Sequence, residues 1–390
     1  MTMKILFVGS QAQQMPGMII ALGKMGHDIE MYPKSMEELE GNEELEEQLK
    51  SFLKKEKFDF ILSNVFTREV ARAAHVLELK YAVWCMDSPS FPAWVPEAEY
   101  DNCYLFYFDY REYELKKQSG QGNAYHLPLA ADTTWSGQLV ITDDDIKKHG
   151  CDMSFVGAMY SNSLYDRALE LFPADMQDAF SEIIEKSAFV WDGEDRLHMP
   201  PELVREVRQK CPQIFYPCDM PDEYFLRTCL LGRKLTNVER TLLMELLAER
   251  FDIHLYTRDT EIVPEGVRRF PEIPALKGAP KVFYSSRINL NITLRSIASG
   301  VPARVFDIMS VGGFVLSNWQ EEIPELFVEG KEIATFKSPE ELIDKADYYL
   351  RHENERLRIA VSGYQKVKEH YTWEHRLEKI ISVIQGKACL

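Results

Sequence analysis

Short, unbroken apolar runs alternate with segments of helical period along this chain, and the alternation starts afresh near its middle. Few folds accept that pattern. In the first part the runs lie at 4–9, 28–32, 58–64, 81–86, 104–108 and 125–129, with helical spacing at 17–25, 36–55 and 69–79. A strand, a helix and another strand in succession imply a crossover connection and so a mostly parallel sheet. Continuous rather than alternating apolarity implies strands covered on both faces. The pattern resumes with runs at 152–157, 252–256, 288–292, 313–317 and 333–336. Helices are expected over 164–231, 239–250, 303–311 and 338–350, then as a pair over 353–387.

The α/β expectation is therefore two Rossmann-like domains with mostly parallel sheets facing a central cleft. The first covers 1–135 and a polar linker 136–150. The second covers 151–370, and a C-terminal helix occupies 371–390. At 390 residues two domains are the default. Open parallel sheets receive ligands at the carboxyl ends of their strands, and a cleft between two such sheets is the natural site.

Charge narrows the partners. A formal charge of −17 repels polyanions, so neither a nucleic acid nor stable membrane insertion is expected. A nucleotide would have to be held by local cations and helix N-termini. Seven cysteines without a Cys-x-x-Cys pair read as free thiols in a reducing, cytoplasmic setting. No leader pattern and no window of roughly 20 apolar residues stand out. None of the nine histidines has metal-ligand spacing, so no metal is expected. The chain lacks the Gly-x-Ser-x-Gly and P-loop patterns of many hydrolases and kinases.

Residues 287–320 hold the densest set of ligand-type groups. A strand leads to a loop with Arg295, Ser299 and Gly300, then to a helix with Arg304 and Asp307, then to Gly312 and Gly313. Gly300 permits close backbone approach. Amides at the helix start favour a phosphate, and Arg304 can add a forked contact. Asp307 can accept both hydroxyls of a ribose, while Arg295 can neutralise leaving-group charge. The same residues also suit an ordinary β-α-β unit in which Arg304 and Asp307 pair along the helix.

Other candidates carry two readings each. Asn289 and Asn291 share one strand face and serve either a ligand or the sheet itself. Gly157 ends a strand, and Arg167, ten residues on, is a phosphate ligand or a surface arginine. Asp87, after the strand at 81–86, is a candidate general base or a turn residue before Ser88-Pro89. Gly9-Ser10-Gln11 follows the first strand without a Gly-x-Gly-x-x-Gly pattern.

Residues 299–316 resemble the nucleotide-sugar motif of retaining GT-B glycosyltransferases. That motif has an acid, an adjacent glycine, a second acid eight positions after the first, and a glycine before the next strand. Gly300, Asp307 and Gly312 fill the last three places, and Ser299 replaces the first acid. More closely, 284–377 is similar to the CgeB-like spore-maturation and glycosyltransferase family. Asp87-Ser88-Pro89, Leu127-Pro128-Leu129-Ala130 and Ser154-Phe155-Val156-Gly157 match its N-terminal half.

The resemblance implies a metal-independent transferase with a nucleotide-diphosphate sugar, UDP- or dTDP-linked, as co-substrate and no cofactor. The acceptor would be a hydroxyl on a protein or envelope glycan. Asp307 would hold the ribose, and Arg304 with the Gly312-Gly313 backbone would lie near the diphosphate. The C-terminal helix would brace the first domain. Ser299 removes the usual carboxylate near the sugar. A sugar-nucleotide epimerase and a catalytically inactive GT-B binding module remain as alternatives on the same fold.

Overall fold

The computed structural model describes residues 2–9, 15–191, 197–260 and 263–387; Ser10 and Gln11 lie outside the described residues. Two compact units emerge. Unit 1 comprises Met1–Ala130, Ala298–Val301 and His370–Leu390, and unit 2 comprises Ala131–Ile297 and Pro302–Glu369. Ser299 and Gly300, read from sequence as second-domain residues, thus belong to unit 1.

Unit 1 contains the strands β1 (Lys4–Phe7), β2 (Asp28–Met31), β3 (Phe60–Ser63), β4 (Tyr81–Cys85), β5 (Cys103–Tyr107) and β6 (Ala124–His126). They form one sheet in the order β2-β1-β3-β4-β5-β6, parallel throughout, as in the register Ile5↔Phe60 and Ile61↔Tyr81. β3 and β4 are buried at every position, which is why their sequences read as unbroken apolar runs. Helix Trp373–Ile384 completes the unit: it packs on helix Met15–Lys24 and takes a bond from Lys80 Nζ to Ile384 O.

Unit 2 contains β7 (Met153–Val156), β8 (Ile253–Tyr256), β9 (Arg268–Phe270), β10 (Ile288–Asn291), β11 (Val315–Asn318) and β12 (Ala334–Phe336). Their order is β12-β11-β10-β7-β8-β9, again all parallel. Counted from β7, the chain lays strands outward to β9, then returns to place β10 on the other side of β7. That is the order of a dinucleotide-type sheet, and its reversal lies between β7 and β10.

Three local expectations change. The helix expected over 36–55 is two, Met36–Leu39 and Glu43–Lys55, because Asn42 caps the second by accepting from Leu45 N. The helical stretch 164–231 breaks into Leu164–Ala168, Ala174–Ser187, Pro201–Lys210 and Asp222–Phe225. The last continues through a π-helical segment, Leu226–Leu231, into helix Gly232–Ala248. Strand β9 was not expected, since an exposed edge carrying two arginines lacks an apolar run. By contrast Ser338 caps helix Pro339–Arg351 as its local sequence dictates, accepting from Glu341 N. Among the described residues no helix is long and apolar enough to cross a membrane.

Candidate functional site

The reversal between β7 and β10 marks where an open α/β sheet receives its ligand. Beyond β7 the chain runs through Gly157, Ala158, Met159 and Tyr160; beyond β10 it continues with Ile292 and Thr293. Arg240, on helix Gly232–Ala248, joins these two strand ends. Its Nη1 donates to Ala158 O at 2.5 Å, and its Nε and Nη2 donate to Ile292 O at 3.1 and 2.5 Å. The guanidinium lies 4.9 Å from the Phe155 ring and 5.3 Å from the Tyr160 ring. Burial lowers its pKa from the ordinary arginine value.

The loop after β7 is fixed from other sides as well. Asn237 Nδ2 donates to Met159 O at 2.9 Å, and Met159 N donates to the Asp259 carboxylate. Tyr160 is held at φ +58°, an uncommon conformation for a residue with a side chain. A loop fixed this fully needs little reorganisation to receive a ligand.

Helix Ala303–Ser310 starts after Pro302, and no side chain caps its first turn. Val305 N donates to Pro302 O, which leaves the amides of Ala303 and Arg304 to face an anion. Arg304 Nη1 lies 3.2 Å from Asp307 Oδ2, so the two pair along the helix, and the Arg304 guanidinium sits 5.1 Å from the Phe283 ring. Both remain partly open, with side-chain exposures of 26% and 41%. Desolvation, with the Asp132 carboxylate adding to it, raises the Asp307 pKa against the opposing pull of Arg304. Arg304 also acts electrostatically on Arg240, adding to the lowering that burial causes, while Tyr160 and Glu239 oppose it.

The other candidates fall in varied places. Gly312, at φ +76°, donates to Met309 O, and Gly313 N donates to Ile308 O. The pair therefore closes helix Ala303–Ser310 at its carboxyl end, whereas Arg304 stands at its amino end. Asn289 is buried among sheet partners: its Oδ1 accepts from Ser154 Oγ at 2.8 Å, and its Nδ2 donates to Phe283 O and Phe314 O. Asn291 Nδ2 donates to Thr293 Oγ1 and Ser317 Oγ. The Arg295 guanidinium is buried, donating to Val190 O and Ser187 O, with Nε 3.8 Å from Glu239. Arg167 is exposed on helix Leu164–Ala168, and Gly157 N donates to Tyr256 O.

In unit 1, Asp87 is exposed just past β4. Ser299 Oγ donates to Asp109 Oδ1 at 2.8 Å, and the amides of Ala298 and Ser299 donate to the same carboxylate. Ser88 Oγ and Arg111 N donate to it too. Gly300 is needed for this seat, because a Cβ there would meet the Phe108 ring at 2.8 Å and Asp109 Cα at 3.1 Å.

Sequence reasoning missed Arg240, Tyr160 and Asp109. Arg240 stands beside Glu239 in what reads as a polar helix face, yet both are buried. Only a charged pair beside the apolar Leu243, Met244 and Leu247 hinted at it.

Residues 233–382 match a family model described as glycosyl transferase-like. That stretch includes Arg240, Arg304 and Asp307. Sequence comparison with curated proteins returned no match. In backbone structure the chain is similar to HepE from Anabaena in complex with UDP and glucose, at 11% identity, covering 98% of this chain and 100% of that one, TM-score 0.54. It is similar to a glycosyltransferase from Rickettsia africae at 11% identity, covering 99% and 98%, TM-score 0.54. Sucrose-phosphate synthase from Thermosynechococcus elongatus aligns at 10% identity over 98% of each chain, TM-score 0.56. At such identities the likeness establishes the fold, which is GT-B.

Proposed function

We propose that this chain is a glycosyltransferase that moves a sugar from a nucleoside-diphosphate donor to an acceptor hydroxyl, with unit 2 holding the nucleotide. One observation carries the reading: at the strand-order reversal of unit 2, Arg240 pins the loop after β7, and both Arg240 and Arg304 lie within the glycosyl transferase-like segment 233–382. HepE binds UDP on a backbone of the same fold, which favours UDP as the first donor to try. The likeness of 284–377 to CgeB-like proteins favours a protein or envelope glycan as acceptor.

In this reading the uncapped amides of helix Ala303–Ser310 and the Arg304 guanidinium bind the diphosphate. As the sugar–phosphate bond breaks, negative charge grows on the leaving diphosphate, and fixed donors stabilise it most at that point. Asp307 accepts the ribose hydroxyls. Holding them requires the ionised carboxylate, which Arg304 favours and burial opposes.

The test is calorimetry with UDP followed by incubation with UDP- and dTDP-sugars. Nucleotide release that depends on an acceptor supports transfer. Conversion of the donor to its epimer, or tight binding with no turnover, overturns it. Asp307→Ala should weaken UDP binding about 10- to 100-fold, the worth of one or two hydrogen bonds to a charged group. Unchanged affinity removes the ribose role. Asp87→Asn should cut kcat by at least tenfold with UDP affinity retained if Asp87 is the base; full activity makes it a turn residue.

A further inference from the structure

Among the described residues, two donors on the C-terminal helix of unit 1 find no acceptor. Trp373 Nε1 and Arg376 Nη2 are both buried without a hydrogen-bond partner, in residues only 6% and 2% exposed. Three positions apart, they share one face of helix Trp373–Ile384. Their other contacts are well defined. The Trp373 ring meets Trp84 edge-on at 5.3 Å, and Trp84 Nε1 donates to Leu127 O. Arg376 Nε donates to Leu129 O at 3.2 Å, and its guanidinium lies 4.8 Å from the Tyr371 ring. Leu127 and Leu129 follow β6, so Arg376 sits on the carboxyl side of that strand, the side on which open sheets bind ligands.

The charge around this pair is unbalanced. Burial brings the Arg376 pKa down to about 10, which leaves it cationic at neutral pH. Burial lowers the pKa of Lys379, and the positive charge of Arg376 adds to that lowering. Among the described residues no carboxylate pairs with Arg376. A buried cation without a counter-charge is strongly disfavoured, and each orphaned N–H adds its own desolvation cost. A water molecule would satisfy the N–H groups without neutralising the charge. An oxyanion does both.

We propose that Trp373 and Arg376 form an oxyanion site in unit 1, fitted to a phosphate or a phosphate monoester. The site is separate from the nucleotide reading of unit 2 and does not depend on it. Thermal unfolding of the full chain, titrated with inorganic phosphate against chloride at matched ionic strength, tests it. A saturable rise in the midpoint is expected for the native protein. Trp373→Phe keeps the ring and removes one donor, and should weaken the apparent phosphate affinity roughly fivefold. Arg376→Gln should abolish the rise, and Arg304→Gln should retain it.

No saturable rise overturns the proposal. So does a rise that survives Trp373→Phe and Arg376→Gln but disappears in Arg304→Gln, because the ion would then occupy unit 2. A parallel titration with glucose 1-phosphate identifies the source. Tighter binding of the ester marks a substrate-borne phosphate, and tighter binding of inorganic phosphate marks a free ion; either supports the site.

Discussion

Arg240→Met should lower the stability of unit 2 by about 2–4 kcal/mol and weaken UDP binding at least tenfold. The physical reason lies in what the side chain leaves behind. Ala158 O and Ile292 O each accept from this guanidinium, and a buried acceptor stripped of its donor costs about 1–3 kcal/mol. Methionine fills much of the volume and removes the desolvated charge, which offsets part of the loss. The binding effect follows from the loop 157–160, which Arg240 holds beside Asn237 and Asp259. Once loosened, that loop must be reordered by the ligand at the expense of affinity. Arg240→Lys should fall between, since one ammonium lacks the fork that reaches two strand ends. Chemical denaturation and UDP calorimetry measure both effects. A variant with native midpoint and native affinity would reduce Arg240 to packing.

The second large effect is a pH dependence set by Glu112. This residue is buried to 1% exposure, and its Oε1 accepts from Ser90 N at 2.7 Å and Trp94 Nε1 at 3.1 Å. Desolvation first, then the neighbouring Asp109 carboxylate, raises its pKa from 4.5 to about 8. Between those values the folded chain keeps a proton that the unfolded chain has released. Stability contributed by this group is complete below about pH 4.5 and is lost as pH rises through 8. The loss is at most about 5 kcal/mol, from ~1.4 kcal/mol per pKa unit. Glu112→Gln keeps an oxygen for both donors and cannot ionise. Its melting temperature should match the native protein near pH 5 and exceed it by several degrees at pH 8.5. Equal pH profiles for the two proteins would show that Glu112 is ionised in the fold.

Two buried histidines act in the opposite direction. Burial lowers the pKa of His149 and His254 in unit 2, so their stability is present above about pH 6.5 and lost as pH falls. The difference between Glu112→Gln and the native chain cancels that background and isolates the glutamate.

What could be read in the sequence follows from how locally each feature is determined. The inner strands announce themselves because burial on both faces demands apolar residues at successive positions, as in Phe60–Ser63 and Tyr81–Cys85. The cap at Ser338 is legible because donor and acceptor lie three residues apart. Helix Ala303–Ser310 and the Arg304–Asp307 spacing are likewise local. Edge strand β9 was hidden because an edge makes no such demand on its side chains.

The sequence by itself therefore determined the α/β class, the two parallel sheets and the stretch that holds Arg304 and Asp307. Only the tertiary structure decided what the buried polar groups do. Ser299 finds its carboxylate 190 positions away, in Asp109, and Arg240 finds Ala158 82 positions away. Apolar burial leaves a periodic imprint along the chain, because every residue of a face meets the same environment. A buried charge is satisfied by one specific partner, and nothing in its local sequence records where that partner will be.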